Sequence, residues 1–209
     1  TSGGYGRIHA DYFTSITGTS TPTIDSTQDN TLSTNTTYQL RLSISTNGTA
    51  YETLARNCDL ITGAWKHIAV TYDASASSAT FYLNGNSLGT ATGALTAISD
   101  NGSALYLGAH KGASAVGNFF NGMIDEVRLW NDIRTSDELS MYRETQIPTT
   151  SIGLVAYYTL NNASTDGTAY ANHLTLTGSP VYTEDVPFLS PTTRNDIDQS
   201  QTLTGQTYT

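Results

Sequence analysis

The amino-acid sequence predicts an all-β fold, an antiparallel two-sheet sandwich carrying one short surface helix. Three observations predict it. From Trp65 to Trp130 the chain is a succession of short strand patterns, WKHIAVTYD, ATFYLNGNSLGTA, ALYLGA and FFNGMIDEVRLWN, each closed by a turn signal. Asn84-Gly85-Asn86 stands between two of these runs, and Asn-Gly is the strongest short-range cue for a two-residue hairpin. No long run of apolar residues at helical spacing interrupts the series.

The elements follow in order. Residues 1–37 are rich in Thr, Ser, Gly and Asn, with a weak strand cue at Tyr12-Phe13 and Ile16. Tyr38 to Ser45 alternates, placing Leu40, Leu42 and Ile44 on one face. Asn47-Gly48 predicts a turn into a strand over Ala50–Ala55. Ile68, Val70 and Tyr72 share one face of the next strand, and Ala79, Phe81 and Leu83 one face of its partner. LYLGA reads as a further strand. In the run from Met123 to Leu129, Met123, Val127 and Leu129 point inward, and Glu126 and Arg128 point to an open face. Thr135-Ser136-Asp137-Glu138 fits a capping box with Thr135 as N-cap and Glu138 at N3. It predicts a short surface helix with Leu139 and Tyr142 on its apolar side, ended by Pro148 at the latest. Leu154 to Leu160 is a strong strand, followed by a polar loop and LTLTG. The expected core is Ile68, Val70, Tyr72, Phe81, Leu83, Leu107, Val127, Leu129, Val155 and Tyr157.

The order WKHIAVTYD, FYLNG, LYLGA, FNGMIDEVRLW and RTSDEL resembles the laminin-G-like, concanavalin A-like jelly-roll domain, over Tyr38 to Leu189. The resemblance implies a two-sheet jelly roll of the kind found in secreted adhesins, surface arrays and carbohydrate-binding modules. It divides the chain into an N-terminal segment 1–37, a jelly-roll domain 38–189 and a C-terminal tail or linker 190–209. Related domains open with an FDG-type strand and a following aromatic strand, which residues 1–37 match poorly. Tyr5–Phe13 is the segment that could replace one of them. Otherwise the sandwich keeps an open edge, and an open edge is a template for pairing with another chain.

Composition narrows the function classes. Only 13% of the 209 residues are charged, against roughly 25% in ordinary soluble domains. Thr, Ser, Asn and Gly supply a neutral, hydrogen-bonding surface instead. The formal net charge is −9, and the nine Lys and Arg are scattered, which argues against nucleic-acid binding. Cys58 is the single cysteine, so no intrachain disulfide forms, and a lone thiol of this kind reads as a small buried hydrophobe. No apolar run has the length of a membrane helix and no signal peptide is recognisable. A chain opening on Thr1 reads as a processed mature chain or a fragment.

No catalytic constellation is legible. Glu126 stands alone on its face beside Arg128, which reads as a solvated ion pair, not half of a carboxylate pair. His9, His67, His110 and His173 lack metal-ligand spacing, and neither a nucleophile elbow nor a phosphate loop occurs. The chain is therefore expected not to be an enzyme. Calcium, which takes six to eight oxygen ligands, is the candidate cofactor. Asp100 and Asn101 form one oxygen-rich turn, and Asn121 and Asp125, with Asn118, form another; the competing reading is Asx turns that bond their own backbone. Tyr106, Phe119 and Phe120 are the aromatic residues nearest to loops. With His110 they form the candidate ligand-binding set, because aromatic rings stack on the apolar faces of sugars. Sequons stand at Asn35, Asn47, Asn101 and Asn162.

Two function classes follow. One is an extracellular, non-catalytic filament or surface-array subunit, a homopolymer joined by exchange of a terminal strand. Its donor would be Tyr5–Phe13, with Tyr5, Ile8, Tyr12 and Phe13 as the apolar anchors, in preference to Thr202–Tyr208. The other is a monomeric carbohydrate-binding or adhesin module that takes cell-surface or matrix glycans.

Overall fold

A computed structural model describes residues 9–11, 38–48, 50–60, 64–98, 104–111, 116–117, 119–183 and 187. Among the described residues ten strands and one helix follow one another in the order β1 (His9–Asp11), β2 (Tyr38–Ile44), β3 (Glu52–Cys58), β4 (His67–Asp73), β5 (Ser78–Leu83), β6 (Asn86–Thr92), β7 (His110–Lys111), β8 (Val116–Gly117), β9 (Val127–Trp130), α1 (Ser136–Tyr142) and β10 (Leu154–Tyr158). The main sheet has six antiparallel strands in the order β10-β9-β1-β4-β5-β6. Two-stranded sheets β2-β3 and β7-β8 complete the architecture. The all-β sandwich with one short helix is thus the observed class.

The inner face forms where alternation predicts it. Tyr72, Ala79, Phe81 and Ala91 of the large sheet pack on Ile44 and Leu54 of β2 and β3, with Leu40, Leu42 and Val70 at the margin. The Glu52 carboxylate fastens the two layers by accepting from Ala94 N at 2.8 Å and Leu95 N at 3.1 Å. Val127, Ala156 and Tyr158 continue this face, covered by Leu107, Ile124, Leu160 and Leu174 from irregular segments. Cys58 is buried as expected, and burial pushes its thiol pKa up.

The hairpin cue holds. β5 and β6 meet at Leu83 and Asn86, so Asn84-Gly85 is a two-residue turn. Both residues have positive φ, 51° and 78°, as a type I′ turn requires.

Several predicted elements take other forms. LYLGA is irregular: Gly108 has φ 71°, its carbonyl accepts from Phe120 N at 2.8 Å, and Leu107 is drawn into the Val127 cluster. The strand from Met123 is cut to Val127–Trp130 because Glu126 takes φ 53°. Asn47-Gly48 lies within a longer loop held by Ser45 Oγ, which accepts from Gly48 N at 2.9 Å, and the next strand starts at Glu52. LTLTG forms no strand, and Leu174 serves instead as a cover for the sheet.

The second face of the large sheet is also buried, against the expectation of an open face at Glu126 and Arg128. The helix is the reason. Its capping box forms as predicted, and Leu139 packs on Ala69 and Tyr82. Gly85 lies so close that a Cβ there would stand 2.9 Å from Ser140 Cα. The connection after the helix brings Ile147 against Trp130, Leu154 and Tyr157. The architecture therefore has three layers where the alternation alone predicts two.

β1 occupies the middle of the large sheet. His9 pairs with Ala69 of β4 on one side and Arg128 of β9 on the other, and Ala10 with Ile68 and Val127. The outer edge at β10 is closed by its own loop. Asp166 Oδ1 accepts from Tyr157 N at 3.0 Å, and Gly167 N donates to Tyr157 O at 2.8 Å.

Candidate functional site

The DEVRLW segment builds a buried polar network at the second face. Arg128 is 0% exposed and Glu126 1%. The Arg128 guanidinium donates to Glu126 Oε2 at 2.9 Å, to Tyr142 O at 2.8 Å and to Thr145 O. The Tyr157 hydroxyl donates to the same Glu126 oxygen, and Gln146 Nε2 reaches the other at 3.4 Å. Asp125 Oδ1 accepts from Glu126 N at 3.0 Å, which supports the left-handed backbone there. Burial, then the adjacent carboxylate, holds the Tyr157 phenol far above its ordinary pKa, so it stays a donor. The network does structural work: Arg128 collects carbonyls at and just beyond the C-terminal end of α1, and Glu126 neutralises it. The expected solvated pair is in fact a buried one.

The residues singled out for ligand binding gather only in part. Tyr106 is 37% exposed and Phe119 60% exposed. Phe120 is half-buried, its backbone tied to Gly108. The backbone of His110 lies in the β7-β8 ribbon, paired with Gly117; its side chain lies outside the described residues. Of the calcium candidates, Asn121 is exposed and Asp125 buried, while Asp100 and Asn101 lie outside the described residues. Among the described residues no cluster of three or more His, Cys, Asp and Glu is placed to hold a metal. Tyr5, Ile8, Tyr12, Phe13 and Thr202–Tyr208 also lie outside the described residues, though His9–Asp11 within Tyr5–Phe13 form β1.

A groove that sequence reasoning missed opens at the hairpin end of the sheet. It is open to solvent, has a volume of about 460 Å³ and is lined by Trp65, His67, Asn84, Asn86, Arg143, Glu144 and Pro187. Three elements converge to make it. Asn84 Oδ1 accepts from His67 N at 3.0 Å and Asn84 N donates to His67 O at 2.8 Å, pinning the turn to the start of β4. The close approach of Gly85 to Ser140 sets the helix against that turn. Arg143, just past α1, donates from Nε to Glu144 Oε1 at 2.8 Å and to Ser140 Oγ at 3.2 Å. Trp65 precedes β4 and is half-buried. The sequence pattern counts it with the strand WKHIAV and gives it no role in a site. Asn84 and Arg143 come from distant parts of the chain, and no local spacing signals their meeting.

Among the described residues no helix is long and apolar enough to cross a membrane. Comparison with known proteins bears on the fold. No curated protein matches the chain significantly. Among solved structures it is similar to a protein of Bacteroides ovatus ATCC 8483 provisionally named as carbohydrate-binding, with a TM-score of 0.55 and 19% identity over 80% of this chain. This chain spans 50% of that protein's length. A heptameric SAP-like pentraxin from Limulus polyphemus gives a TM-score of 0.40 and 11% identity, over 73% of this chain and 75% of the pentraxin. The family described as the concanavalin A-like lectin/glucanases superfamily, of laminin G type, matches residues 12–140. With its sandwich, its DEVRLW network and its capped helix in place, the chain belongs to that laminin G-type family of the concanavalin A-like superfamily.

Proposed function

We propose that this chain is a non-catalytic, extracellular structural subunit that assembles by exchanging its N-terminal strand. The observation that carries the reading is the position of β1. The first strand of the chain is inserted between β4 and β9, whose own residues lie far along the sequence. Residues 12–37 join it to β2, a stretch that could span on the order of 90 Å if fully extended. The same segment can therefore complete the sheet of its own chain or that of a neighbour. Donation in one direction is heterologous and propagates into a fibre. At the β10 edge the Tyr157 backbone is already taken by Asp166 and Gly167, which leaves less of that edge to a competing strand. The reading excludes catalysis by Glu126, whose carboxylate is committed to Arg128 and Tyr157. The test is deletion of residues 1–14, followed by light scattering and electron microscopy. Filaments from the full chain and none from the deletion support the reading. Filaments that survive this deletion and removal of residues 192–209 overturn it.

A second reading, carbohydrate binding, is favoured by the exposed rings of Tyr106 and Phe119 and by the name of the Bacteroides ovatus structure with the same fold. Calcium, with Asp100, Asn101, Asn121 and Asp125 as the candidate ligands, belongs to this reading.

A further inference from the structure

We propose that the groove between the β5-β6 turn and the end of α1 is a binding site for a neutral pyranose, with Trp65 as its stacking surface. The proposal rests on the carbohydrate reading above and deepens it, giving that reading a site made from elements other than the Tyr106–Phe120 rim.

The size fits. About 460 Å³ lies within the roughly 300–1,000 Å³ of small-molecule sites. The chemistry fits as well. Trp65 is a half-buried indole in the lining, and an indole is the ring type that stacks on the C–H groups of a sugar's apolar face. Around it stand two amides, Asn84 and Asn86, and the paired Arg143 and Glu144. Amides, a guanidinium and a carboxylate between them donate to and accept from adjacent hydroxyls, each of which is both donor and acceptor. Arg143 and Glu144 bond each other at 2.8 Å, so this pair presents no net charge to a ligand. That balance selects an uncharged polyol. The frame is rigid, since the Asn84–His67 bonds and the Gly85–Ser140 contact fix the turn, strand and helix together before any ligand arrives.

Intrinsic fluorescence reports on this site, because the second tryptophan, Trp130, is buried under Ile147 in the core. The experiment titrates the full chain with gluco-, manno-, galacto- and xylo-oligosaccharides, and with an oligogalacturonate as the charged control. Calorimetry measures affinity. The expected result is a saturable change in emission with at least one neutral oligosaccharide. Trp65→Ala should then weaken binding by about tenfold or more, the order of one stacked aromatic contact. Asn86→Ala removes an exposed side chain bonded only weakly to the turn, Nδ2 to Asn84 O at 3.4 Å, so it tests the site even where Trp65→Ala folds poorly. It should weaken binding about fivefold, one hydrogen bond's worth. Tyr51→Ala and Tyr170→Ala remove exposed rings that do not line the groove and should leave affinity unchanged. Binding lost in Phe119→Ala and kept in Asn86→Ala overturns the groove while leaving the carbohydrate reading standing. Stronger binding of the uronate overturns the neutral-ligand assignment. No saturable binding by any of these sugars overturns the groove and the carbohydrate reading together.

Discussion

Arg128 shows how much one side chain decides in this molecule. A guanidinium with no solvent exposure is tolerated because a carboxylate and two main-chain carbonyls receive it. Arg128→Ala leaves Glu126 buried and unneutralised, and should cost about 3–5 kcal/mol, read as a shift in the denaturant midpoint. Val127→Asp places an unpaired charge where nothing is exposed and should unfold the protein, visible as loss of near-ultraviolet circular dichroism. Asp166 carries the pH dependence. Burial alone would raise its pKa, but hydrogen bonds from the Thr168, Tyr157 and Asn172 amides and the Thr168 hydroxyl lower it overall. Its contribution is therefore complete above the unfolded carboxylate value of about 3.9 and is lost as pH falls through the lower folded value. Acid titration of the Asp166→Asn variant should show a shallower stability loss below about pH 4 than the parent chain. Burial at Val127 was legible from alternation, whereas the environment of Glu126 and Arg128 was not. Alternation reports that two residues leave one face; it does not report what is laid over the other.

At the scale of elements, α1 and the β5-β6 hairpin were legible for a shared reason. Both are set by local chemistry, the Thr135–Glu138 capping box and the Asn84-Gly85 turn. Thr135→Ala should cost about 1 kcal/mol, the usual value of an N-cap. Leu139→Ala should cost more, about 2–5 kcal/mol, because Leu139 is the buried anchor of the helix on Ala69 and Tyr82. Two thermal melts distinguish these magnitudes, and equal shifts would mean that the helix contributes only its own local stability. LYLGA was misread as a strand and LTLTG was given no element; both have strand composition without strand partners. Their leucines are taken up singly by the Val127 cluster, and positive φ at Gly108 and Gly178 turns the chain away. The place of Trp65 was not legible: its neighbours define a strand, and only the converging helix and hairpin make it part of a groove wall.

At the scale of the whole molecule, the family resemblance reached the right fold because the strand motifs and the helix cap occur in a fixed order, and that order carries the long-range pairing that single motifs lack. What order could not reveal was the place of β1, since three residues hold no period. The proposed calcium contribution is tested here too. Chelation should lower the melting midpoint of the full chain, and an unchanged midpoint removes calcium from the reading.

The central position of β1 also bears on the moment of synthesis. A chain made from its N-terminus presents His9–Asp11 first, yet the strand's two neighbours end at Asp73 and Trp130. Until the second has been made and folded, the first strand has at most one flank satisfied. Its main-chain groups on that side stay available until Trp130 has been made, and on the proposed exchange a neighbour lacking that strand is the competing acceptor. On the proposed exchange, whether a copy closes on itself or joins another is a contest between the speed of elongation and the local density of its siblings, decided before the sheet is sealed.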